Sequence, residues 1–377
     1  MNKALVAFAS VVMLGTSIAP LSVAGASAST RHRFTAVGVG QGGARAAFPT
    51  TPTEYNPPVS PNLSGPTVKD FTETEQSGGR NFTIKQVGTF PGTNTQSTIP
   101  VKVIPVAFHF SDGVTIDPTA TLPSCAGGGT ALNRTLNSVI YKPVQTTSDG
   151  KRQWTEEFRR SEYFNFSKPG GTGQNNSVKL SPSVLPKITI NVNGPSVAEA
   201  CGRGGNVTIN SLQNTIQTSV FASLGSKVKT TDFAMFLWGN IVMCQTASAS
   251  TCGINGFHTA FERNGGTQTY GVTEFATDRR FHNTEDTSIA SHEVAEWFDD
   301  PFGNNPTPTW GHIGQVTGCQ SNYEPGDPLT GTLFTVGPSH VQDLAEFSWF
   351  YRVEPSLGRG GLYSLFGTFR SPSVPCS

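Results

Sequence analysis

The chain is short of charge. Only 14% of its residues are Asp, Glu, Lys or Arg, and 26 acids balance 26 bases to a net charge of zero. A nucleic-acid surface needs a dense basic stripe. Arg31 and Arg33 make only a small basic patch, so nucleic acid is not an expected partner. After the N-terminal residues no apolar run reaches the roughly 18 residues of a membrane helix. Gly-x-Ser-x-Gly is absent, which excludes the usual nucleophile elbow. Cys-x-x-Cys is absent too, which excludes a cysteine zinc knuckle. Gly127-Gly128-Gly129 lacks the Lys-Ser/Thr of a phosphate loop.

What is present begins with a targeting signal over residues 1–28. Lys3 supplies a positive end, residues 4–23 are largely apolar, and Ala24-Gly25-Ala26 and Ala26-Ser27-Ala28 are cleavage-type triplets. The mature protein is therefore expected to be secreted, periplasmic or extracellular, with no membrane contact. Its six cysteines, Cys125, Cys201, Cys244, Cys252, Cys319 and Cys376, all follow the signal. An even count in an exported chain predicts three disulfides. Neighbour pairing, 125–201, 244–252 and 319–376, is the expected connectivity.

Residues 29–95 are rich in Pro, Thr, Gly and Ser and read as an extended or partly ordered arm, or a pro-segment. Residues 96–377 read as a single α+β domain. Strands are expected at 101–110, 187–192 and 233–244, and helices at 130–141, 152–164 and 208–224. A β-hairpin is expected at 256–262 and 267–275 around Asn264-Gly265-Gly266. Further strands are expected at 332–336, 340–351 and 361–369.

The most informative stretch is His292-Glu293-Val294-Ala295-Glu296. It differs by one letter from His-Glu-x-x-His, in which residues i and i+4 of a helix grip one metal. Residues 289–298 contain no Gly or Pro, Asp286 or Thr287 offers an N-cap, and Pro301 ends the helix near Asp299 or Asp300. Ala290, Val294, Trp297 and Phe298 should face a core. His292, Glu296 and Asp299 should face out, with Glu293 at the margin. A metal site here needs a third ligand. His312, in Gly311-His312-Ile313-Gly314, would complete a His2Glu set for Zn2+, and Asp300 competes with it. Glu293 would be the catalytic general base. His258 is weighed as an oxyanion-stabilising group or a plain edge-strand residue. Glu324 and Asp327 are weighed as calcium ligands or a polar turn.

Ser291-His292-Glu293-Val294-Ala295-Glu296, Asp300-Pro301, Gly311-His312-Ile313-Gly314 and Cys319 resemble motifs of secreted bacterial zinc-metallopeptidase-like proteins. Those proteins carry S-H-E-x-A-E, a D-P and a later G-E-I-G-D with a Cys. Cys252-Gly253 with Gly256-Phe257-His258 is loosely similar to the Exordium/phosphate-induced protein family. The likeness covers residues 230–320, and His312 and Gln315 depart from G-E-I-G-D. The resemblance implies a zincin-like mixed sheet with an active-site helix, and a peptide or protein substrate. The alternative it implies is a non-catalytic cell-surface protein associated with cell-wall polysaccharide.

Overall fold

The computed structural model describes residues 63–147, 150–277, 284–354 and 362–377. The expected signal segment lies outside them. The chain mixes helix and strand around a seven-stranded sheet. Its long strand Gln96–Phe110 pairs in parallel with Phe233–Gly239, which pairs in parallel with Gly266–Phe275. The edge strand Gly256–Arg263 runs antiparallel to Gly266–Phe275. On its other side, Gln96–Phe110 takes Ser177–Val184 and Ile188–Val192 in parallel.

Strand alternation sorts the core. Val101, Val103, Phe233, Met235 and Leu237 meet Ala290, Val294, Trp297 and Phe298 on one face. Ile104, Val106, Phe108, Phe236 and Trp238 meet Ile209, Leu212, Ile216 and Phe221 on the other. Both faces are therefore covered by helices, which suits the fully buried strand Phe233–Gly239. The site helix, Ser288–Asp299, is fixed by Trp297, which stacks on Phe233 at 3.8 Å between ring centroids.

The helices at Trp154–Glu162 and Ser288–Asp299 and the Asn264-Gly265 hairpin form as expected. Asn264 and Gly265 both have positive φ, as a two-residue hairpin turn demands. Four expectations need correction. The apolar run 233–244 is two strands, because Asn240 at φ 48° turns the chain into a second sheet at Ile241–Cys244. The helix expected over 130–141 covers only Ala131–Leu136. The strand expected over 340–351 is a short strand, Ser339–Gln342, and a helix, Phe347–Tyr351. Residues 362–369 form turns and one bridge rather than a strand.

Within the expected arm, Asp70–Ser77 and Arg80–Val87 form a hairpin that belongs to the folded body. Phe82, Ile84 and Val87 are buried. Gln86 Nε2 donates to Asp299 Oδ1 at 3.1 Å, and Lys85 and Asn305 exchange two hydrogen bonds. The three disulfides are Cys125–Cys201, Cys244–Cys252 and Cys319–Cys376, the neighbour pairing. They suit an oxidising compartment. Among the described residues no helix is long and apolar enough to cross a membrane.

Candidate metal centre

The polar side of the site helix is not exposed. His292, Glu293 and Glu296 are all buried and line a pocket of about 40 Å3. The edge strand brings His258 to one side of it. The segment Glu324-Pro325-Gly326-Asp327 closes the other. That segment is anchored at its start by Tyr323, whose hydroxyl lies 2.5 Å from Glu162 Oε1 and 3.2 Å from Asp299 Oδ2. Asp299 itself pairs with Arg159 at 2.8 Å. It therefore serves the scaffold, not the pocket.

His292 Nε2 stands 3.0 Å from Glu296 Oε1 and 3.4 Å from Asp327 Oδ1. Its other nitrogen, Nδ1, is 3.2 Å from Gln342 Oε1. Gln342 is oriented in turn, because its Nε2 donates to the Gly326 carbonyl at 2.5 Å. The amide oxygen can only accept, so Nδ1 carries the proton in the neutral ring and Nε2 faces the carboxylates. Glu296 Oε1 also accepts from Gly326 N at 3.1 Å. Asp327 is held by Gln315 and by Gln320, the latter at 3.3 Å.

The charges of the pocket are strongly coupled. Burial pushes the Glu296 carboxyl up, but His292, with His258 beside it, more than reverses this and brings it down to about 2. Burial opposes a charged His292 ring, and Glu296 overrides it, so the ring sits well above the ordinary histidine range. Burial, against the pull of His292, holds Glu293 well above the usual carboxylate range. Burial and then the Glu296 charge raise Glu324 well above it and Asp327 to about 6.

His312 is not part of this cluster. It lies near the end of the strand Pro306–Ile313, at a register shift just before the hairpin turn, with φ 54°, and is exposed. Its Nε2 is 3.9 Å from Cys319 Sγ. Cys319 and Cys376 are bonded to each other, so no thiolate is available there for a metal. The structure thus brings Asp327, and not the expected His312, beside His292 and Glu296. The turn does reach the site, but through Gln315, while its left-handed backbone turns the His312 ring outward. Asp300 does not join the cluster either. Its carboxylate accepts from Asn304 N and Asn305 N, each at 2.9 Å, and fixes the loop that follows the helix.

No family model, curated protein or solved structure matches this chain. The site must be judged on its own donors. His292, Glu296 and Asp327 have ligand atoms within 4.8 Å of one another and could hold a metal ion. One further observation favours this. Glu293 Oε2 and Glu324 Oε2 are buried without a hydrogen-bond partner, a costly state that a cation relieves. The donor set fits a divalent metal.

Sequence reasoning kept Glu324 only as a fallback beside this helix and placed Asp327 in a calcium site or a polar turn. The available signal was the spacing Glu324-x-Gly326-Asp327, two carboxylates three residues apart across a glycine.

Proposed function

We propose that the chain is an exported zinc-dependent hydrolase that cleaves peptide bonds. The observation that carries this reading is one buried pocket that combines a His–Glu–Asp donor set with the unpartnered Glu293 Oε2. A cation bound by His292, Glu296 and Asp327 supplies Lewis acidity toward water and a substrate carbonyl. Mixed imidazole and carboxylate donors suit zinc.

The chain's own residues do the rest. Gln342 fixes the His292 tautomer, and the Gly326 N–H holds Glu296 Oε1 in place. Glu293 Oε2 is free of hydrogen bonds, so it can accept the proton of the attacking water. Glu293 then returns that proton to the leaving amine nitrogen. Burial favours the protonated carboxyl and so strengthens it as a base. The antiparallel edge strand beside the site helix supports a zincin-like arrangement, with an extended substrate passing the pocket. The resemblance to secreted zinc-metallopeptidase-like proteins points the same way.

The test is metal content and turnover of a fluorogenic peptide library by the purified protein. Glu293→Gln should keep at least one equivalent of metal and lose about 10²–10⁴-fold in activity. Parent protein with neither metal nor turnover would overturn the proposal.

A further inference from the structure

The pocket has a second donor set that the single-cation reading leaves unused. Resting on that reading, we propose that the centre is dinuclear. A second divalent cation would be held by His258 Nδ1, Glu293 Oε2 and Glu296 Oε2, with Glu324 Oε2 facing it and Glu296 bridging the two positions.

The first support is the orientation of His258. Its Nε2 lies 2.9 Å from the Asp300 carbonyl oxygen. A carbonyl only accepts, so in the neutral ring Nε2 carries the proton and the Nδ1 lone pair faces the pocket. A carbonyl that accepts from the far nitrogen is the usual support of a ligating histidine. His292 has the same support from Gln342 Oε1.

The second support is spacing. His258 Nδ1 is 3.7 Å from Glu296 Oε2, 3.9 Å from Glu293 Oε2 and 4.0 Å from Glu324 Oε2. These separations are too long for hydrogen bonds. Donors that share a cation at about 2.1 Å stand about 3–4 Å apart, which brackets them. His258, Glu293 and Glu296 form one group within 4.8 Å, and His292, Glu296 and Asp327 form another. The groups share only Glu296, which turns Oε1 to His292 and Oε2 to His258.

The third support is unmet polarity and charge. All four residues of the second set are more than nine-tenths buried. Two of its oxygens, Glu293 Oε2 and Glu324 Oε2, have no partner. Glu293, Glu296, Glu324 and Asp327 line the same pocket as two histidines. Two divalent cations would match the charge of the four carboxylates once metal binding has displaced their protons and left both rings neutral. Uncompensated buried charge is expensive. The inference also refines the role of Glu293. It accepts a proton when only the first position is filled and becomes a ligand when both are.

The test is metal stoichiometry of the full purified chain, stripped by chelator and re-equilibrated with Zn2+ or Mn2+. Plasma mass spectrometry should find two equivalents in the parent and one in His258→Ala. Anomalous diffraction from metal-soaked parent crystals needs no variant, and should show two peaks about 3.5–4 Å apart. A parent that saturates at one equivalent, or His258→Ala that keeps two, would overturn the second site. One equivalent that disappears in His292→Ala leaves the single-cation reading standing. No bound metal in the parent removes both.

Discussion

Gly326→Ala tests the site with a single methyl group. Gly326 has φ −80°, so alanine fits its backbone without strain. Its new Cβ would lie 2.6 Å from His292 Cγ and Nδ1 and 2.7 Å from Cε1. An ordinary contact begins near 3.4 Å, so ring or loop must move by about 0.8 Å. Metal–nitrogen bonds of about 2.0–2.1 Å tolerate deviations of only about 0.2 Å. The same shift disturbs the Gln342 contact and the Gly326 N–H to Glu296. Disturbing such supports costs about 10–100-fold in metal affinity, or about 1.4–2.7 kcal/mol. Overpacking adds about 1–3 kcal/mol of lost stability. The assay is Zn2+ competition against a chromogenic chelator, with a thermal melt as the fold control. Gly318→Ala is the matched control, because nothing lies within 4 Å of its new Cβ. If Gly326→Ala binds Zn2+ as tightly as the parent, the placement of His292 against the Glu324–Asp327 segment is wrong.

Three further outcomes follow from the geometry. In the same competition assay Asp327→Asn should weaken Zn2+ binding by about tenfold or more, whereas exposed His312→Ala should leave it unchanged; the reverse order would restore His312 as the ligand. Arg159→Leu should cost about 3–5 kcal/mol in urea unfolding, because it leaves Asp299 and Glu162 buried without their cation; a loss below about 1 kcal/mol would show that the network is dispensable. Glu75 is pushed up to about 7, first by burial and then by the Glu73 charge. A raised carboxyl binds its proton more tightly when folded, so stability falls as pH rises from about 4.5 to 7. Discounted for its exposure, Glu75→Gln should stabilise the fold by about 1–2 kcal/mol at pH 8 and leave it unchanged at pH 4. Equal effects at both pH values would contradict this.

The sequence showed the site helix clearly because its limits are local. Pro301 stops it, and no Gly or Pro interrupts residues 289–298. The Asn264-Gly265 turn was legible for the same reason. What escaped depended on distant contacts or on one backbone angle. The polar face of the helix looks solvent-facing in isolation, and the Glu324–Asp327 segment, the edge strand with His258 and Gln342 together bury it. His312 has suitable chemistry and separation, yet it stands exposed with a left-handed φ at a register shift near the end of its strand. Asn240 likewise splits an apolar run that periodicity reads as one strand. The Asp70–Val87 hairpin was hidden by the Pro- and Thr-rich composition around it, although Phe82 and Ile84 already alternate.

That hairpin bears on how short a working version of the chain can be. A variant starting at Gln96 keeps every pocket residue, yet it strips partners from the scaffold beneath them. Asp299 would lose the Gln86 amide, Asn305 would lose both bonds to Lys85, and Arg159 would lose the Val87 carbonyl. Proteolytic trimming upstream of Asp70 leaves those partners in place. A cut between Val87 and Gln96 frees the hairpin from the chain and leaves noncovalent contacts alone to hold it against the site helix.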